Sequence, residues 1–135
     1  MKLLLIETEP GAAFNIEDKL LDDGHEVVQC NDEFGGPCKG VADFSACPMH
    51  YHLDLAIIAR SEWTDPTLNE MGGVCARQHR VPVVQVDPLE PEAALDDLEA
   101  TVAKARRKVE ADIAAAVRRE LRTAGFGHEV TVDVA

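Results

Sequence analysis

The side chains best able to do chemistry in this chain fall close together. Cys30, Cys38, Cys47, His50 and His52 share one stretch, and Cys75 and His79 follow on the next predicted helix. Cys47-Pro-Met-His50 is a C-x2-H spacing, short enough for both side chains to reach one zinc ion. Zinc takes four nitrogen or sulfur ligands in a tetrahedron. Cys38 joins that set if the loop folds back, and Cys30 adds a ligand from the end of a strand. There is no paired C-x2-C, the spacing that would single out a metal. Three readings stand side by side. The cysteines and histidines are ordinary side chains; or Cys38, Cys47 and His50, with Cys30, bind zinc; or Cys38 and Cys47 form a redox pair bracketing a loop of suitable length.

A second group is mostly acidic. Glu7, Glu9, Cys30, Asp32, Arg60 and Asp87 each lie at or beyond the end of a predicted strand, so an α/β fold gathers them around one mouth. Such a mouth suits a divalent cation or an amine, and in most folds it is a solvated rim. No nucleophile–base pair accompanies it. Ser61 follows a strand but lacks a Gly-x-Ser-x-Gly elbow. Gly11 stands alone and Gly35-Gly36 opens no helix, so no phosphate-cradling loop is present.

The elements that must position these residues alternate. Lys2 to Ile6 reads as a strand buried on both faces, because its apolar run is continuous. Ala13, Ile16, Leu20 and Leu21 recur at helical spacing until Asp22-Asp23-Gly24 stops them. His25 to Cys30 is a second strand. Asn31 to His52 has no clear period, and a loop of that length inside a domain is usually functional or disordered. Leu53 to Ala59 is a third strand, Asp65-Pro66 opens a helix weakened by Gly72-Gly73, and Val81 to Val86 is a fourth strand. Pro91 opens a helix that runs to Thr123, or breaks near Lys104 to Lys108. His128 to Val134 alternates like a last strand with one solvated face. Strands alternating with helices imply a mostly parallel sheet.

Over residues 1–105 the chain resembles the receiver (CheY-like) family of response regulators. LLLIETEP resembles the family's first strand and the acids after it; LDDGHEVV, its first helix end and second strand. LDLAIIA resembles the third strand, which ends in the phosphoacceptor aspartate, and VDPLEPEAAL the start of the last helix. The resemblance implies a flavodoxin/CheY-like sheet of four to five strands, with a long C-terminal helix and a terminal strand. Residues 1–90 then form the receiver-like core, and residues 91–135 are the helix and strand of the same domain. The family's functional positions have changed. Ala59 stands at the phosphoacceptor, and a methyl group cannot attack phosphorus. Asp54 is no substitute, because it begins the strand. Glu7 keeps one metal-holding charge, Thr8 replaces the second acid, and Glu9 fits the adjacent position. Asp87 stands where the family has its switch lysine, or its switch Ser/Thr under an alternative alignment. The resemblance therefore implies a degenerate pseudo-receiver.

Bulk properties fit one domain. The chain has 135 residues, enough for a core of its own, and 46% are hydrophobic. Its net charge of −12 repels nucleic acid and anionic membrane. No stretch approaches the ~20 apolar residues of a membrane span, which points to a cytoplasmic protein with reduced cysteines. The last helix carries an apolar stripe from Leu95 through Val109, Ile113, Val117 and Leu121. Carried past the sheet, that stripe needs a cover, so a homodimer is expected with these last four residues at its interface. The expected function is a non-enzymatic regulatory module acting through protein–protein contact and bound to no required cofactor. The alternative is a metal- or redox-responsive sensor built on residues 30–52.

Overall fold

Four short apolar segments lie side by side in the computed structural model, which describes residues 1–9, 11–31, 38–61 and 65–125. They are β1 (Lys2–Glu7), β2 (Glu26–Val28), β3 (Leu55–Ala59) and β4 (Val83–Val86). All neighbours pair in parallel, in the order β2-β1-β3-β4. The chain winds from β1 to one side and then crosses to the other, so the strand order reverses between β1 and β3. In open α/β sheets the crevice outside the carboxyl ends of two such strands is where ligands bind.

Alternation along the strands sorts the core into two layers. Leu3, Leu5, Leu55, Ile57 and Val86 face α1 (Phe14–Asp22), α4 (Glu92–Leu95) and α5 (Leu98–Thr123), meeting Ile16, Leu20, Leu95, Leu98 and Val102. Leu4, Ile6, Ala56 and Ile58 face the opposite way, toward Cys30, Leu53 and Ala76. That second layer is covered by α3 (Met71–Gln78) and by Met49 of the 3₁₀ turn Pro48–His50, which follows α2 (Lys39–Ala42) and another turn, Phe44–Ala46, in the chain. The sheet is therefore covered on both faces, which is why β1 and β3 read as unbroken apolar runs. Each fully buried leucine or isoleucine contributes about 2 kcal/mol.

The glycines that weaken α3 by propensity have a packing role. A Cβ on Gly72 would lie 3.0 Å from Cys30 Sγ and 3.2 Å from Ile6, and one on Gly73 would lie 2.9 Å from Ile58. The missing side chains let the helix backbone settle directly on β1 and β3. The helix ends with Arg80 in the left-handed region, at φ 58°, closed by Arg80 N to Arg77 O and Val81 N to Ala76 O. Glycine is the usual residue there.

Several expectations need correction. The helix predicted from Pro91 is broken, but at Asp96-Asp97 and not near Lys104 to Lys108. α4 stops at Leu95, and Asp97, with φ −126°, restarts the chain as the N-cap of α5 by accepting from Ala100 N at 3.1 Å. Its carboxylate satisfies an amide that a continuous helix would have bonded internally. The aperiodic stretch before His52 holds short helical turns in its described part. The second strand spans only Glu26–Val28, the third and fourth begin at Leu55 and Val83, and the helix expected from Asp65-Pro66 begins as a 3₁₀ turn at Leu68. Asp32 and the predicted strand His128 to Val134 lie outside the described residues. Among the described residues, no helix is long and apolar enough to cross a membrane.

Candidate functional site

The carboxyl ends of β1 and β3 are closed by their own side chains. Thr8 follows β1, is 6% exposed, and lies 2.9 Å from Glu70 Oε1 and 3.2 Å from the Ala59 carbonyl oxygen through its hydroxyl. The hydroxyl has one proton, and the carboxylate is the stronger acceptor. Glu70 ends the 3₁₀ turn Leu68–Glu70 that leads into α3, and is itself 8% exposed. Arg60, the residue after β3, brings its Nε within 3.2 Å of the same Glu70 oxygen. That buried N–H is not aimed at the oxygen, so the contact is ionic rather than hydrogen-bonded. Burial keeps it stronger than a solvated pair of the same length.

The turn carrying Glu70 is held against β1 by its own polar residues. The Thr8 carbonyl oxygen accepts from Thr67 Oγ1 at 2.7 Å and from Asn69 Nδ2 at 3.2 Å. Three side chains of one short segment thus converge on Thr8. Sequence reading missed Thr67, Asn69 and Glu70, because each looks like an ordinary residue of a helix entry. The available signal was the Thr-x-Asn-Glu cluster of side-chain donors and acceptors one residue before the glycine pair.

The receiver-like positions have other tasks here. Glu7 Oε2 accepts from the Ala13 amide at 2.7 Å, so the carboxylate satisfies an amide at the start of α1. Ala59 is 1% exposed and belongs to the core. Asp87 accepts from the Leu89 amide at 2.9 Å and shapes the turn after β4. Glu9 is exposed. Asp54 lies at the opposite end of the sheet, where its carboxylate accepts from the Lys2 amide at 2.9 Å. That hydrogen bond, helped by His52, holds the Asp54 carboxyl below its ordinary range.

The cysteine–histidine set is not brought together as ligands. Among the described residues, no group of three or more His, Cys, Asp or Glu is arranged to hold a metal ion. His50 is turned edge-on to the Phe44 ring, 4.4 Å between centroids. Cys38 is exposed at the start of α2, and Cys47 packs beside Gly40. Cys30 is buried against Gly72, and burial pushes its thiol up to about 11, assisted by the nearby thiols of Cys47, Cys75 and Cys38. All four cysteines are free thiols. A thiol held protonated in this way is a poor nucleophile and a poor metal ligand at neutral pH.

Of the stripe residues, Val109, Ile113 and Leu121 are half-buried and Val117 is 38% exposed. Val109, Ile113 and Val117 line a groove of about 500 Å³ that runs between α5, the end of α3 and the outer edge of β4. Compared with known proteins, the chain matches no family model, no curated protein and no solved structure, and so its fold and its site stand on their own geometry.

Proposed function

We propose that this chain is a non-phosphorylatable pseudo-receiver, a cytoplasmic regulatory module that works through protein contact and self-association instead of catalysis. One observation carries the reading. At the carboxyl ends of the two central strands, where a receiver does its phosphoryl chemistry, Ala59 offers a methyl group, Thr8 and Glu70 are buried and hydrogen-bonded to each other, and the half-buried Arg60 forms an ion pair with Glu70. Glu7 accepts from the Ala13 amide, and Thr8 stands where the resemblance places a receiver's second metal-holding acid. The parallel order β2-β1-β3-β4, with α1 and α5 on one face, is compatible with a receiver-like scaffold lacking one strand–helix unit. Self-association is supported by the partly uncovered stripe of Val109, Ile113, Val117 and Leu121 on a helix roughly 39 Å long.

Incubation with acetyl phosphate and magnesium, followed by intact-mass measurement, tests the reading. The mass stays unchanged for the natural chain and for Ala59→Asp, because Thr8 and Asp87 still lack the metal site and the switch. An acid-stable, base-labile gain of one phosphoryl group on the natural chain overturns the reading.

A further inference from the structure

The four free thiols come from separate places in the chain, and the fold gathers them around Cys30. Cys30 follows β2 and is buried in the layer beneath α3. Its Sγ lies 3.0 Å from where a Cβ on Gly72 would stand. Cys75 is three residues further along the same helix, and such positions share a helix face about 5–6 Å apart. On the other side, the Cys30 carbonyl oxygen accepts from the Lys39 amide at 2.6 Å. Cys38 precedes Lys39 and Gly40 follows it. A Cβ on Gly40 would lie 3.1 Å from Cys47 Cβ and 3.7 Å from its Sγ.

The three thiols around Cys30 differ in exposure and in freedom to approach it. Cys38 is exposed at the N-cap of α2, whereas Cys47 and Cys75 are half-buried. Cys75 is fixed within α3, whose backbone sits on β1 and β3. Cys47 is the joint between the two 3₁₀ turns, where its extended backbone belongs to neither. It can move the short distance that a disulfide demands without breaking a helix. Cys47 also acts on the Cys30 thiol more strongly than Cys75 or Cys38 does.

We propose that Cys30 and Cys47 are a site of reversible oxidation, at which a hydroperoxide such as hydrogen peroxide joins them in a disulfide. The Cys47 sulfur, as thiolate, attacks one peroxide oxygen; the O–O bond breaks, and the released hydroxide takes up the thiol's proton as water. The Cys30 sulfur then attacks the sulfenic acid formed on Cys47. The S–S bond forms, the S–O bond breaks, and the Cys30 proton leaves with that hydroxide as a second water. Two thiols and one peroxide thus give one disulfide and two waters. A protonated Cys30 is a poor first nucleophile, so its part is the second step, in which the sulfur it attacks is already beside it. The bond would tie the end of β2 to the segment carrying Val41 and Phe44, which are 73% and 76% exposed. Peroxide would thereby fix an apolar contact surface. This goes beyond the pseudo-receiver reading and does not rest on it.

Peroxide treatment of the reduced full chain, then blocking of the remaining thiols and non-reducing peptide mapping, tests the site. The free-thiol count should fall from four to two, with Cys30 joined to Cys47, and dithiothreitol should restore all four. Cys38→Ser and Cys75→Ser should leave the bond unchanged. Cys47→Ser should abolish it and leave Cys30 a free thiol; circular dichroism matching the natural chain confirms that this variant is folded, and Cys47→Ala replaces it if serine prevents folding. A different pairing, a sulfinic or sulfonic acid without a disulfide, or four thiols left unchanged overturns the proposal. So does an equal yield of the Cys30–Cys47 bond from the urea-unfolded chain, since the fold would then contribute nothing to it.

Discussion

Glu70 is the residue on which the closed strand ends depend. It is buried, it pairs with Arg60, and it accepts a hydrogen bond from the Thr8 hydroxyl. Glu70→Ala strands the partly buried guanidinium and should destabilise the fold by about 2–3 kcal/mol in urea unfolding. Arg60→Ala in the same background should add little, since the charge left without a partner is then gone. Cys30 gives a pH signature. Its folded value, about 11, lies above the ordinary 9.0, so the protonated thiol stabilises the fold fully below pH 9.0. That contribution is lost as pH rises from there through about 11, and amounts to roughly 2 kcal/mol. Cys30→Ala should flatten the alkaline fall in stability. In the native state Cys38, which is exposed, should react first with a thiol reagent and Cys30 last.

At the scale of elements, the caps and strand ends decide what sequence periodicity leaves open. Asp54 accepts from the Lys2 amide and gives its own amide to the Lys2 carbonyl oxygen at 2.9 Å, fixing the start of β1 against β3. Its depressed carboxyl stabilises the fold above the ordinary carboxylate range, and that gain is lost as pH falls through the lowered value. Asp54→Ala should therefore cost about 1 kcal/mol at neutral pH and less in acid. Asp97→Ala should cost about 1 kcal/mol by removing the N-cap of α5. That cap also shows what the sequence concealed. Leu95, Leu98 and Val102 keep an uninterrupted helical spacing, so the apolar pattern carries no trace of the break at Asp96-Asp97. The Gly72-Gly73 pair misled in the same way, since propensity counts its flexibility but cannot see Ile6, Cys30 and Ile58 beneath it.

For the molecule as a whole, apolar runs sufficed to locate the four strands among the described residues, and most clearly β1 and β3, which are covered on both faces and so show no polar alternation. Parallel pairing was legible through the alternation of strands and helices, whereas the order β2-β1-β3-β4 is seen only in the fold. The site was half legible. Glu7, Thr8, Ala59 and Asp87 could be read as altered positions, but what occupies the space instead depends on Glu70 arriving from a segment 62 residues away from Thr8. The cysteines were the reverse case: Cys30 lies in the core near the thiols of Cys47, Cys75 and Cys38, and yet among the described residues they form no metal-holding group. The strand ends should be inert toward the cofactor and donor that a receiver needs, which amide NMR of the full chain reads residue by residue during titration with magnesium and then acetyl phosphate. The account predicts that the amides of Glu7, Thr8, Ala59, Arg60 and Glu70 stay in place through both additions; saturable shifts concentrated on those five residues would contradict it.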